Sequence, residues 1–522
     1  MSVSAPITPP SEKEADEEDA TIASRRPQRQ MLELAVVAVV VVAGIGCRAY
    51  THSDLWIDET LSVNIARLPL DQMGEALRHD GHPPVYYLLL HWWMEVFGQG
   101  DAAVRSLSAV ISVATLPLIW RIGNAVGGRR CALAALVLMA SSPQAVRYAT
   151  ETRMYSLIVF LASAGWLLLR AARRRPTLPR LAGVAVVAGL MLLTHYWSGY
   201  LLVATGTLLL WSAWRTPERR RTDLKCAAAL VAGGLMFLPW LPSFIVQATT
   251  TGTPWAAPAR PAEVAYSLLV GSDSTGEAQM LGVMLGVLLL LALFGQRVDD
   301  HRIEIDVRTN PQVRSEWALM ALVLSLAVVG GLIGTVAFAE RYTAIILPVL
   351  IVLAAVGITR LPNRPVRIGV VTIVALLGLA ASLHTSLEDR TQVGQVARAL
   401  KVGALKGDLV VHCPDQLAPG VIRYAPPDLI HMTYPLSNTP DRVDWQHYEY
   451  RVTRVDPIPY ADIADARAGN RPIWLVWSEG YSLLGQRCED IFTELGDLRP
   501  HHVVVTAAGD AERAWLYRFD PN

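Results

Sequence analysis

The chain has 522 residues, of which 52% are hydrophobic and 18% charged, with a mean hydropathy of +0.32. Basic and acidic residues number 46 each, so the formal net charge is zero and nothing points to nucleic acid. This composition excludes an ordinary string of soluble domains and is that of a polytopic helical membrane protein.

About thirty polar residues, including "SEKEADEEDA", precede the first apolar run, so residues 1–30 read as a disordered cytoplasmic tail without a signal peptide. Runs long enough to cross a hydrocarbon core of about 30 Å as helix follow. They fall at residues 31–50, 104–123, 131–147, 154–171, 181–195, 198–214, 226–244, 279–295, 317–338, 342–359 and 366–384, eleven spans in all. Residues 83–97, "PPVYYLLLHWWMEVF", would reach only about 22 Å and carry His91 and Glu95, so they read as a helix along the interface. The positive-inside rule agrees: with that helix not crossing, "GGRR", "RAARRRPTLPR", "RTPERRRTDLK" and "RLPNRPVR" all share the side of the N-terminus.

The resulting topology has a cytoplasmic N-terminus and makes residues 51–103 a long outer loop. Within it, "DLWIDETLSVNIA" sets Asp58 beside Glu59, and "RHDGHPPVYY" sets Arg78, His79, Asp80 and His82 before the interfacial helix. Other spans bring polar groups to the same level: Arg147, Tyr148, Glu151, Arg153 and Tyr155 in "SSPQAVRYATETRMYS", His195 and Tyr196 in "LLTHYWSGY", and Glu340, Arg341 and Tyr342 in "AFAERYTAI". Singly, such aromatics and histidines anchor an interface and loop acids are solvated. Several carboxylates and arginines converging on one end of an apolar bundle are costly unless used.

No Walker-type or dinucleotide-type glycine motif occurs, and residues 297–316 read as a solvated cytoplasmic connector. The five cysteines lack metal-finger spacing; Cys47, Cys131 and Cys226 lie in or beside spans, while Cys413 and Cys488 lie where oxidation is allowed. From about residue 388 the apolar runs give way to β-rich stretches, "DLVVHC", "PIWLVWS", "HHVVVT" and "AWLYRF", alternating with helical ones. The domain reading is therefore a tail over 1–30, a membrane domain over 31–387 and a small extracytoplasmic α/β domain over 388–522.

The stretches "IDETLSVNIA", "DGHPPVYYLLLHWW", "RSLSAVISVATLPLIWRIGNAVGGRR", "SPQAVRYATETRMYSL", "THYWSGYLL" and "AERYTAIILP" together resemble GT-C type glycosyltransferases of the family 39 kind. That superfamily holds the protein O-mannosyltransferases and the bacterial lipid A aminoarabinose transferases, and the likeness is greatest to the bacterial group sharing an RgtA/B/C/D-like domain. The resemblance implies an all-α GT-C membrane fold of about eleven spans. It also implies transfer of a mannose- or arabinose-type sugar from a polyprenyl-phosphate donor to a hydroxyl of a glycolipid, glycan or protein on the outer face of the cell membrane.

By the same resemblance Asp58 is the catalytic carboxylate and Glu59 its acidic neighbour, which could tune or orient Asp58 through a donor such as His82. Arg341 and Arg153 are the candidates for the donor phosphate, with His195 and Tyr342 as hydrogen-bond partners, and Tyr196, His82, Asp80 and Arg147 complete the substrate-binding set. One base acting in a single displacement predicts inversion. Some relatives hold a divalent metal, and no ligands for one are assigned here. The alternative from another class is a flippase or transporter of polyprenyl-linked sugars, for which repeated halves and midplane charges would be expected.

Overall fold

The computed structural model describes residues 31–522 except 32, 252–259, 272–274, 334–337, 480, 482 and 510. The tail expected over 1–30 lies outside the described residues.

A helix over 33–49 (α1) enters the bundle. The outer loop then folds into three short helices, α2 (Ile57–Ala66), α3 (Leu70–Asp80) and α4 (Val85–Phe97). Asp58 and Glu59 occupy the first turn of α2, where negative charge suits the exposed N–H groups. Gly81, at φ 90°, ends α3 in a left-handed conformation open to glycine, and Pro83 and Pro84 then set the start of α4. The thirteen residues of α4 rise about 20 Å, too little to span.

The segment α5 (Asp101–Ala140) is two helices joined at a break, as expected from the apolar runs at 104–123 and 131–147. The break falls in "GGRR", where Gly127 and Gly128 leave helical angles, Gly128 at φ 74°, and the chain turns so that Gly123 packs against Ala132 and Ala135. There follow α6 (Pro143–Ala149), α7 (Tyr155–Arg174), α8 (Leu178–Leu192), α9 (Ser198–Arg215), α10 (Arg220–Leu235), α11 (Leu241–Thr250), α12 (Pro261–Leu269), α13 (Gly276–Phe294), α14 (Arg314–Ile333), α15 (Leu347–Arg360) and α16 (Arg364–Leu387). The span expected at 226–244 is divided between α10 and α11, because Pro239 and Pro242 interrupt it through a turn of 3-10 helix at Leu238–Trp240. Among the described residues, seven helical segments are long and apolar enough to cross a membrane, so the expected count of eleven is not reached by that measure.

The bundle is organised around α15. Every residue from Leu347 to Ile358 is buried, against α5 and α13 in particular. At Gly357 a Cβ would fall inside van der Waals distance of the Leu288 carbonyl oxygen, so glycine is what lets α15 and α13 approach backbone to backbone. At the end of the bundle away from Asp58, the basic loops are tied together: Arg360 donates to Gln312 Oε1 and Gln312 donates to Val126 O, both at 2.6 Å. The expected solvated connector 297–316 carries a small antiparallel hairpin there, β1 (Gly295–Arg297) with β2 (Ile303–Ile305).

The C-terminal part contains α17 (Val393–Gly403), β3 (Leu409–Cys413), α18 (Ala418–Tyr424), β4 (Ile430–Thr433), α19 (Tyr448–Arg454), α20 (Pro457–Ala468), β5 (Ile473–Trp477), α21 (Arg487–Leu498), β6 (His501–Val505) and β7 (Trp515–Phe519). Its sheet has the order β4-β3-β5-β7-β6, with β4, β3 and β5 parallel and β7 and β6 antiparallel. Alternation along β3 divides the core in two: Val410 faces Val396 and Leu400 of α17, while Leu409 and Val411 join Val452, Tyr460 and Ile491 on the other side. A disulfide joins Cys413 to Cys488.

This domain is bound tightly to the outer helices. Leu61 of α2 is part of its second core, Asn64 donates to Asp441 O at 2.6 Å, and the Trp445 N–H donates to His79 O at 3.0 Å. Arg423 reaches Asp101 at the start of α5 at 2.7 Å.

Candidate active site

Adjacent residues on a helix point about 100° apart. Asp58 and Glu59 therefore diverge, and the structure gives them different surroundings.

Asp58 faces the bundle axis. Its Oδ2 lies 3.2 Å from Arg341, at the start of the α15 segment, and 3.7 Å from Arg153, in the turn before α7. Arg341 lies over the ring of Trp56, with Cζ 5.4 Å from the centroid. Arg153 also donates to Ser62 Oγ at 3.1 Å and to His82 Nε2 at 2.9 Å. A guanidinium can only donate, so Nε2 of His82 accepts and its Nδ1–H is left to donate to Asp80 Oδ2, 2.8 Å away. Tyr87 donates to the same Asp80 oxygen at 2.8 Å. Burial works to raise the Asp80 pKa, but His82, Arg153 and Tyr87 outweigh it and hold the carboxyl below its ordinary range. A continuous chain, Asp80 to His82 to Arg153 to Asp58, thus links α3 to α2 through the turn before α7.

Glu59 is fully buried and turned to α5. Arg105 grips it with two nitrogens, Nε at 2.7 Å and Nη2 at 2.5 Å, and the Thr152 N–H adds a third bond at 2.9 Å. Arg105 spends its remaining N–H groups on the carbonyls of Ser53 and Asp54. All of Glu59's strong contacts are internal, and His82 touches Asp80 and Arg153 rather than the acidic pair. Glu59 is thus held by three hydrogen bonds on the side of α2 away from Arg341 and Arg153.

The other expected residues divide in the same way. Tyr342 packs on His195, ring centroids 5.1 Å apart, and on Trp197 at 4.9 Å, so both line the Arg341 side. Tyr196 turns away, donating to Gln247 and accepting from Trp240, which ties the turn before α9 to α11. Arg147 is held by Glu151 one helical turn on and by Glu388 at 3.6 Å, outside the Asp58 cluster. Two participants were absent from the expected set: Trp56, beneath Arg341, and Arg105, the partner of Glu59. Arg105 carried a signal, since an arginine at the outer end of a span runs against the positive-inside bias.

Among the described residues no three His, Cys, Asp or Glu side chains converge to hold a metal ion.

A cavity of about 1060 Å³ runs between α7, α8, α9, α14 and α15. Its wall includes Met191, Leu201, Ile345, Pro348 and Val352, with Ile345 one turn beyond Arg341. Its far end is basic, at Arg170, Arg173, Arg174, Arg219 and Arg314.

Residues 81–242 match the family model of dolichyl-phosphate-mannose-protein mannosyltransferases. The structure is similar to that of ArnT from Cupriavidus metallidurans bound to undecaprenyl phosphate, with TM-score 0.58 and 13% identity over 94% of this chain and 98% of that one. The same protein in its apo state gives TM-score 0.57 at 14% identity over the same shares. Arabinofuranosyltransferase AftD from Mycobacteria gives TM-score 0.50 and 16% identity, over 94% of this chain and 40% of that one. No curated protein sequence matches the chain. The fold is that of these glycosyltransferase structures, and residues 81–242 match the mannosyltransferase family model.

Proposed function

We propose that this chain is a GT-C glycosyltransferase that moves a mannose- or arabinose-type sugar from a polyprenyl-phosphate donor to a hydroxyl acceptor on the outer face of the cell membrane, with inversion at C1. The observation that carries the reading is Asp58 set between Arg341 and Arg153. A carboxylate beside two arginines suits a phosphate leaving group and a hydroxyl nucleophile together.

In this mechanism the donor phosphate is held by Arg341 and Arg153, which stabilise the negative charge growing on it as the bond from C1 to oxygen breaks. The phosphate competes with Asp58 for Arg341, so donor binding releases the carboxylate to act. The acceptor oxygen attacks C1 from the opposite face, its proton passes to Asp58, and the bond electrons leave with the phosphate. The Asp80 to His82 chain keeps Arg153 in place between base and phosphate. Glu59 has no part in these steps beyond holding α2.

The orientation, with the N-terminus in the cytoplasm and the C-terminal domain outside, is supported by the arginine-rich far end and by the disulfide at the near end. Asp58→Asn keeps the size and removes the base. Purified protein carrying it should transfer sugar from a polyprenyl-phosphate donor at least about 100-fold more slowly than wild type. Transfer at the wild-type rate refutes the assignment.

A further inference from the structure

The helix that carries Asp58 lacks a cap of its own. Trp56 is its N-cap residue and offers no side-chain hydrogen bond, so the first N–H groups of α2 need partners from elsewhere. The Glu59 and Thr60 N–H groups turn back to Trp56 O. The Ile57 N–H instead donates to Glu512 Oε1, 3.3 Å away and 455 positions along the chain. On the other side of Trp56, the Leu55 N–H donates to Tyr424 OH at 2.9 Å, and that hydroxyl in turn donates to Asp101 Oδ2 at 2.6 Å. Glu512 is itself fixed, because its backbone bridges Thr391 and its carbonyl accepts from the Gln392 N–H at 3.0 Å.

Both acceptors belong to the C-terminal domain, and both grip the backbone of the same residue pair flanking Trp56. That indole carries Arg341, and the next residue but one is Asp58. Resting on the function proposed above, we propose that Glu512, with Tyr424, is a positioning residue for catalysis: the C-terminal domain supplies the missing cap of α2 and so sets Asp58 against Arg341. The domain is then part of the catalytic machinery and more than a cover for it.

The chemistry of Glu512 fits a cap that works as a neutral acid. The titratable groups facing it are Asp58 and Glu59 from α2 and Tyr481 from the segment before α21. Burial pushes its pKa up to about 8, and the two carboxylates push in the same direction. Hydrogen bonds from the Thr391 side chain and the Ile57 N–H pull the other way without offsetting the burial. Glutamine, neutral and retaining the carbonyl oxygen, should therefore replace it, and alanine should not.

The test uses the full-length protein in detergent with a polyprenyl-phosphate-linked mannose or arabinose as donor. Glu512→Ala should lower kcat about 5- to 30-fold with the donor KM unchanged, and Glu512→Gln should restore it at pH 7. Amide hydrogen exchange supplies a readout independent of substrate: residues 54–66 should exchange faster in Glu512→Ala and in Tyr424→Phe, and at the wild-type rate in Glu512→Gln. Wild-type exchange of that segment in Glu512→Ala overturns the proposal whatever the activity, as does an unchanged kcat. Inactivity of the wild-type protein on such donors would instead strike the proposed function, leaving the exchange result to decide the role of Glu512.

Discussion

Replacing Glu59 by glutamine separates scaffold from catalyst. In the structure Glu59 is 0% exposed and accepts three hydrogen bonds, two from the Arg105 guanidinium and one from the Thr152 N–H. Glutamine keeps the shape but removes the charge and turns one acceptor into a donor aimed at a guanidinium that is itself 8% exposed. Breaking a buried pair from one side costs on the order of 3 to 5 kcal/mol, because the cation left behind stays desolvated. Glu59→Gln should therefore unfold at markedly lower denaturant or temperature. The double variant Glu59→Gln with Arg105→Met, which removes the stranded charge, should recover most of that loss. Unfolding in detergent measures the first effect, and sugar transfer per folded molecule measures the second, with near-normal turnover expected in the double variant. Wild-type unfolding of Glu59→Gln together with abolished transfer would refute the scaffold role and return Glu59 to the chemistry.

Arg341→Ala should raise the donor KM more than about tenfold, the loss of one charge-assisted contact to phosphate, while acceptor dependence holds; titrating each substrate in turn checks it. Asp415, buried in the C-terminal domain with Tyr448 OH donating to it at 2.6 Å, has its pKa pushed by burial up to about 7. The folded state thus keeps a proton that the unfolded chain releases near pH 4, so this contribution is full below about pH 4 and is lost as pH rises towards 7. Asp415→Asn should remove the dependence, making the domain more stable than wild type at pH 8, by up to a value on the order of 4 kcal/mol, and not at pH 4. Hydrogen exchange of β3 at the two pH values reads it out.

What the amino-acid sequence made legible follows from the range over which each signal acts. Hydropathy is local, and the helices lie where apolar runs put them; length is as local, and it singled out α4 as a short helix of thirteen residues. The break at Gly127 and Gly128 was legible because two glycines between apolar runs free the backbone to leave the helix. Asp58 was legible because its position at the start of an outer helix, with arginines returning to that level, depends on topology alone. Glu59 shared every one of those signals, and only the 100° between neighbours on a helix, with Arg105 waiting on the other side, separates the two. Glu512 had no local signal at all. It sits in a domain without a motif, and its meaning comes from one backbone N–H on α2 that the outer loop cannot satisfy for itself. Where a helix bearing a reactive side chain begins without a cap, the missing partner is a place to look for the residue that holds the site in register, however far along the chain it lies.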